Sequence, residues 1–325
     1  MTEPLLVANH LSKTFDGGGL FRKRPGVRAV QDVSVKIHAG EAFGLVGESG
    51  CGKSTLARLL LRLLEPSAGT VHFNGVEITA LRGDGLRSHR RMMQMVFQDP
   101  YASLNPRMSI HGILSEPLRA HAIPRAEWPA RMMQMLDQVG LPQSILGRYP
   151  HELSGGQRQR VGIARALIVE PALIIADEPV AALDVSVQAQ VLNLLLDLRK
   201  RLKLTLVFIA HDLPVVQYIS DRVGVMLLGH LVEVADREAL YREPLHPYTR
   251  MLLAAAPTLH APVPGQPRRS VVPQGELPSP ASPPPGCPFQ SRCPLVQPAC
   301  RRTMPDLIDV ADGRTVACHA VKPGA

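Results

Sequence analysis

Gly47-Glu48-Ser49-Gly50-Cys51-Gly52-Lys53-Ser54 decides the fold class of this chain. The segment matches G-x-x-x-x-G-K-[ST], the phosphate loop, and its setting agrees with that motif. The apolar run Ala42–Val46 precedes it and a helical pattern, Thr55–Leu64, follows. Glycines let the backbone curl so that several N–H groups converge on phosphate oxygens, and the helix start adds partial positive charge. Lys53 would reach the β- and γ-phosphates of a nucleotide and the Ser54 hydroxyl would ligate Mg²⁺, with Gly47 to Thr55 as the binding segment. The bland alternative is a Gly-rich turn that merely packs, and having both the strand and the helix in place weighs against it. A phosphate loop alone does not choose among kinases, GTPases, helicases and transport ATPases.

Leu173-Ile174-Ile175-Ala176-Asp177-Glu178 is an apolar strand that ends in two acids. At the carboxyl edge of a parallel sheet Asp177 would hold Mg²⁺, while the alternation of an extended chain points Glu178 elsewhere, towards an attacking water. Alone, the pair reads equally well as acids in a turn before Pro179; beside a phosphate loop it reads as catalytic machinery. Further short apolar runs at Met95–Phe97, Leu206–Ala210 and Val223–Leu227 predict strands buried on both faces of a mostly parallel sheet. The expected class is α/β, a RecA-like P-loop NTPase core spanning about residues 1–256 with a β subdomain. Helical patterns without convincing strands predict a helical subdomain inserted at about 100–165.

Leu153-Ser154-Gly155-Gly156-Gln157 opens a second helical run that continues through Val161–Val169. Ser154 is a good N-cap and the two glycines leave backbone N–H groups bare, which makes a second anion-binding helix start. With this LSGGQ in place the sequence resembles the ATP-binding subunits of ABC transporters from Leu5 to about Ala256. The resemblance implies that Phe15 stacks on adenine, that Gln98 is the Q-loop glutamine at Mg²⁺ or water, and that Asp184 belongs to the D-loop. It also implies that His211 is the switch histidine near the γ-phosphate. Glu178, His211, Lys53 and Gln98 are then the catalytic set, and Ser54, Gln98 and Asp177 the Mg²⁺ set. In isolation Phe15 reads as a core aromatic and His211 as a strand-end residue; their order around the two strong motifs changes that. One departure is Ala181, where the D-loop usually begins with Ser.

Three segments resemble the oligopeptide/dipeptide-uptake branch, its F-type subunit in particular: Gln98–Pro106, Glu178–Gln190 and His246-Pro247-Tyr248-Thr249. What the resemblance implies is ATP hydrolysis that drives import of di- or oligopeptides, with ATP sandwiched between one subunit's phosphate loop and the other's LSGGQ. The implied partners are a second ABC ATPase in a heterodimer, two transmembrane permease subunits and an extracytoplasmic solute-binding protein. Nickel, glutathione or another small solute is the alternative cargo within the same branch. A nucleic-acid- or ribosome-associated ABC ATPase is the rival from another class. Those proteins usually carry two cassettes or a long coiled-coil insertion, so nucleic acid is not expected as a partner.

Composition narrows the rest. The chain has 325 residues, a formal net charge of +8, 45% hydrophobic residues and 4% aromatics. The apolar share supports a real core, and the few aromatics make a poor platform for single-stranded nucleic acid. No charge-free apolar stretch reaches the ~18 residues of a membrane span, and Met1–His10 lacks a secretory signal pattern. The expected place is therefore the cytoplasmic face of the cell membrane, peripherally, held by partners. Arg22-Lys23-Arg24, Arg28, Arg87, Arg90 and Arg91 read either as a solvated face or as a contact with an anionic membrane surface. Cys51, inside the phosphate loop, reads as a small residue that fits there.

Thirteen of the 30 prolines fall between Pro257 and Pro298, so the excess marks a linker rather than the core. The C-terminal extension, residues 257–325, carries Cys287, Cys293, Cys300 and Cys318. Their spacings exceed the C-x₂₋₄-C of typical zinc fingers, and Pro288 and Pro294 directly follow two of them. The matching cysteines of related peptide-transporter subunits imply a [4Fe–4S] cluster. Zn²⁺, with His319 as a spare ligand, and unliganded thiols are the alternatives. The module looks too short to fold on apolar burial alone, so a cluster is the expected staple.

Overall fold

A computed structural model describes residues 3–17, 24–99, 103–181, 183–255, 278–279, 283–311 and 313–322. The basic pair Arg22-Lys23, Ala182 of the D-loop and the proline-rich stretch 256–277 lie outside the described residues. In chain order the strands are β1 (Pro4–Gly17), β2 (Arg24–His38), β3 (Ala42–Val46), β4 (Ala68–Phe73), β5 (Val76–Glu77), β6 (Met93–Val96), β7 (Leu173–Asp177), β8 (Thr205–Ile209), β9 (Arg222–Leu227), β10 (His230–Asp236), β11 (Ile308–Ala311) and β12 (Arg314–Val316). The helices are α1 (Lys53–Leu60), α2 (Gly83–Met92), α3 (Ile110–Ala120), α4 (Trp128–Gln138), α5 (Gly155–Leu167), α6 (Val185–Leu202), α7 (Leu213–Ile219), α8 (Arg237–Arg242) and α9 (Pro247–Ala255). The chain forms two compact units. The first comprises Met1–Leu6, Ile37–Ala42 and His72–Ile209, the second Val7–Lys36, Phe43–Val71 and Ala210–Ala325.

In the first unit β6, β7 and β8 pair in parallel, with Met95 opposite Ile175 and Ile175 opposite Val207. Every residue of β7 and β8 is buried, which is why their sequences are continuous apolar runs rather than alternating ones. β4 ends in a hairpin with β5, His72 facing Glu77. The segment after β6 is helical as expected. Helix α3 packs on α4 and α5; it buries Ile113, Leu114 and Leu118, while α4 buries Met135 and Leu136 and α5 buries Ile163. Each such side chain contributes about 1.5–3 kcal/mol by leaving water. Ser109 starts α3 by accepting the Gly112 N–H at 3.3 Å.

In the second unit β3 pairs in parallel with β9, Leu45 opposite Gly224. From β9 the sheet turns antiparallel through β10 and β12 to β11. A separate set runs in the order β2-β1-β4. Gly44 lets α7 lie directly on β3, since a Cβ there would stand 2.5 Å from Ser220 Oγ and Val216 Cγ1.

Two expectations of local structure shift. The helix after the phosphate loop ends at Leu60, not Leu64, because Arg62 takes a left-handed φ of 55°. The N–H groups of Leu63 and Leu64 then fold back onto the Arg58 carbonyl at 2.8 and 3.1 Å. The strand expected at Met95–Phe97 is Met93–Val96, and Phe97 is 38% exposed.

Candidate nucleotide-binding site

The phosphate loop sits between β3 and α1, held by close approaches that only glycine permits. A Cβ at Gly47 would collide with the Met226 carbonyl, and one at Gly52 with the Ala29 carbonyl. Gly52 also adopts φ 107°, where an L side chain is strained. The loop is tied back to the sheet by the Gly229 N–H, which donates to the Cys51 carbonyl at 2.8 Å. Lys53 is only 4% exposed. Its ammonium donates to the Gly47 and Glu48 carbonyls at 2.8 and 3.0 Å, so a buried positive charge is held by carbonyl dipoles in the mouth of the loop. Burial raises the Cys51 thiol above its ordinary value, with the Lys53 charge opposing. Cys51 is thus a packed, protonated thiol.

In the first unit β7 delivers the two acids. Asp177 is 2% exposed at the end of the strand. Glu178 follows with φ 45°, a conformation that costs a non-glycine residue about 1–3 kcal/mol. Its N–H donates to the Ile209 carbonyl at 2.9 Å, and Gln98 Nε2 donates to its carboxylate Oε2 at 2.8 Å. A strained backbone and the Q-loop amide thus jointly aim the Glu178 carboxylate.

The second anion-type helix start is α5, also in the first unit. Ser154 Oγ accepts the Gln157 N–H at 3.3 Å, while Gln157 Oε1 accepts the Ser154 N–H at 3.0 Å. This reciprocal capping box spends the Gln157 N–H internally, so the helix start is less bare than its glycines suggest. Gly156 is needed for packing as well: a Cβ there would stand 2.7 Å from Val187 Cγ1, in the first turn of α6. Asp184 is the residue before α6, and Val185 beside it is 84% exposed.

Two further expected residues lie in the second unit. Phe15 is 40% exposed, with Lys13 Nζ 5.4 Å from its ring centroid. That is a presented aromatic, not a core one. His211 is exposed just past β8, after Ala210, whose N–H donates to the Leu45 carbonyl at 3.3 Å.

The cysteine expectation is corrected. Among the described residues no group of three or more His, Cys, Asp and Glu side chains could hold a metal ion, so neither [4Fe–4S] nor Zn²⁺ on Cys287, Cys293, Cys300 and Cys318 is supported. All four are free thiols. Burial pushes the Cys287 thiol up to about 11 and raises Cys293 and Cys318 as well. Cys293 and Cys300 accept N–H groups from Leu295 and Gln297, both at 3.4 Å. The turns of the module are fixed by backbone bonds such as Cys287 N–H to Cys300 carbonyl at 2.8 Å. An apolar anchor, Phe289, is 1% exposed.

Sequence reasoning missed three side chains that meet the phosphate loop or its support. Tyr248 Oη accepts the Glu48 N–H at 3.1 Å, and Arg292 Nη1 lies 3.7 Å from Glu48 Oε1. Glu233, fully buried, accepts the N–H groups of Leu245 and His246 at 2.8 and 2.9 Å. The only advance signal was His246-Pro247-Tyr248-Thr249, legible as a family marker and not as a contact.

Comparison with known proteins agrees with the motifs. A family profile described as ABC transporter matches residues 30–181, and one described as oligopeptide/dipeptide transporter, C-terminal region, matches residues 232–300. A Sinorhizobium fredii chain is 51% identical over 100% of this chain and 92% of its own length. The chain belongs to the ABC transporter ATP-binding subunits, in their oligopeptide/dipeptide family. The oligopeptide transport ATP-binding protein AppF of Bacillus subtilis is similar too, at 49% identity over 98% of this ABC subunit and 97% of its own length. Among solved structures, the ATP-binding cassette MJ0796, a dimer in a post-hydrolysis state bound to ADP and Pi, matches with TM-score 0.63. It is 29% identical and covers 71% of this ABC subunit and 98% of its own chain. The RecA-like P-loop core with a helical subdomain is therefore the ABC cassette fold. No helix among the described residues is long and apolar enough to cross a membrane.

Proposed function

We propose that this ABC subunit hydrolyses ATP to power uptake of di- and oligopeptides, working at the cytoplasmic face of the membrane. The observation that carries the reading is the Glu178 carboxylate, held at 2.8 Å by the Gln98 amide next to the buried Asp177. A fixed carboxylate at a strand end is suited to orient and deprotonate an attacking water. Lys53, with its ammonium pre-set in the loop mouth, takes the β- and γ-phosphates. His211 and Gln98 complete the catalytic set, Phe15 takes the adenine, and Gly47 to Thr55 wrap the phosphates. Ser54, Gln98 and Asp177 carry the hydroxyl, amide and carboxylate oxygens that would hold Mg²⁺, and the ion would supply charge neutralisation at the phosphates.

The Ser154–Gln157 start of α5 and Asp184 serve the nucleotide of a second ATPase subunit, in a heterodimer. Two membrane-embedded permease subunits and an extracytoplasmic solute-binding protein complete the importer. Peptide as cargo is supported by the C-terminal family match at residues 232–300 and by the name that the Bacillus subtilis relative carries.

Glu178→Gln tests the reading in the purified subunit assembled with its partners. ATP turnover should fall at least ~100-fold while nucleotide binding persists. Unchanged turnover would replace the hydrolase with a non-hydrolysing ATP-binding module. Retention of the chain on DNA or ribosomes, instead of on permease subunits, would overturn the importer.

A further inference from the structure

We infer that the C-terminal cysteine module is a positioning element of the phosphate loop, acting through Tyr248 and Arg292 on Glu48. The inference rests on the ATP-binding role proposed above. Glu48 is held at its carbonyl, its N–H and one carboxylate oxygen. Its carbonyl accepts Lys53 Nζ at 3.0 Å and the Cys51 N–H at 3.3 Å, which is the loop's own wiring. Its N–H and its carboxylate, in contrast, are held by the C-terminal part of the chain: Tyr248 Oη at 3.1 Å and Arg292 Nη1 at 3.7 Å.

Both holders are themselves built in. Tyr248 has no exposed surface, and burial drives its hydroxyl far above the usual tyrosine value, so it stays a neutral phenol. Its N–H donates to His246 Nδ1 at 3.0 Å, and the His246 N–H donates to the fully buried Glu233 carboxylate. Phe289 of the module packs edge-on against the Tyr248 ring at 5.5 Å. A turn in which the Arg292 N–H donates to the Phe289 carbonyl at 3.0 Å places the two side chains as neighbouring prongs. The Arg292 side chain is 12% exposed, and its buried Nε has no hydrogen-bond partner among the described residues, leaving Glu48 as the charge it serves.

The chemistry follows from the sign of the charges. Glu48 places a carboxylate in a loop that must accept a polyanion, and like charges at short range repel. Arg292 offsets that carboxylate, and Tyr248 keeps the Glu48 amide fixed so that the loop is pre-formed when phosphate arrives. Tyr248 and Arg292 are thus positioning residues that act through Glu48.

The test is equilibrium binding of ATP to the full chain, with thermal unfolding measured beside it. Arg292→Ala should weaken ATP binding about five- to tenfold, more at low than at high salt, with little change in Tm. Arg292→Ala combined with Glu48→Gln should restore affinity to within about twofold of Glu48→Gln alone, because the offending charge is gone. Arg301→Ala, an exposed arginine of the same module, should change nothing. The proposal is overturned if Arg292→Ala binds ATP normally, or if the double variant is no better than Arg292→Ala. Loss of Tm without loss of affinity would show a purely structural contact. A wild-type chain that bound ATP without Glu178-dependent turnover would sink the hydrolase reading alone, since this test reads binding.

Discussion

The phosphate loop and the LSGGQ segment are both helix starts that suit an anion, yet they are held by opposite means. The start of α1 has no side-chain cap. It is shaped by glycine approaches to the Ala29 and Met226 carbonyls and by props that arrive from some 200 residues away in sequence. The start of α5 closes on itself through the reciprocal Ser154–Gln157 bonds. A locally capped helix start can stand alone and wait for a ligand. A start shaped by distant contacts is a preorganised site whose affinity depends on the rest of the unit. This division suits the proposed heterodimer, in which the phosphate loop binds the subunit's own nucleotide and the start of α5 serves the nucleotide of the second subunit.

The sharpest way to break the comparison is to place one methyl group in each loop. Gly52→Ala should cost ATP binding at least ~100-fold, because the Cβ meets the Ala29 carbonyl at a backbone φ of 107°. Gly156→Ala meets Val187 Cγ1 at 2.7 Å, a side chain that can give way. It should leave ATP binding by the isolated chain intact while slowing hydrolysis in the assembled complex. Comparable binding losses in the two variants would erase the distinction between a propped and a self-capped start.

Much of this site was legible in the sequence because its signals are local. Gly47 to Ser54, the apolar β7 ending in Asp177-Glu178, and Ser154 to Gln157 each carry their geometry within a handful of neighbouring residues. The long strands β1 and β2 escaped for a physical reason. Left-handed residues His10 and Asp32, at φ 51° and 52°, interrupt the strict alternation by which an antiparallel strand is recognised. The contacts of Tyr248 and Arg292 with Glu48 have no local pattern at all. The cysteines misled because sequence spacing does not show whether thiols converge on one point, and among the described residues no group of side chains able to hold a metal is formed.

The props should also make the phosphate-loop unit more acid-sensitive than a self-capped helix start. Burial lowers His246 to about 4, well under an ordinary histidine. A histidine depressed in the folded state contributes stability that is complete above about pH 6.5 and is lost as pH falls towards 4. The loss should be on the order of 3 kcal/mol. Protonation would turn Nδ1 from an acceptor of the Tyr248 N–H into a donor facing it. His230, also lowered to about 4 by burial, pushes the same way. Chemical denaturation between pH 7 and 4 should show the decline, and His246→Asn, which retains an acceptor but does not titrate, should flatten part of it. An identical pH profile for that variant would remove His246 from the account.

The smallest expected effect probes the capping box itself. Ser154→Ala removes the acceptor for the Gln157 N–H and should cost about 1 kcal/mol of stability, the usual worth of an N-cap. If that bond only ends a helix, ATP turnover in the assembled complex should change no more than the stability loss explains. If the Ser154 hydroxyl leaves the cap to reach the nucleotide of the opposing subunit, turnover should fall well beyond that while ATP binding by the single chain stays normal. Ser154→Asp separates the two roles. Aspartate caps a helix as well as serine does and restores stability, but it presents a negative charge to the incoming phosphates. A variant that is stable, binds ATP and does not turn over would show that the hydroxyl serves both the helix and the nucleotide.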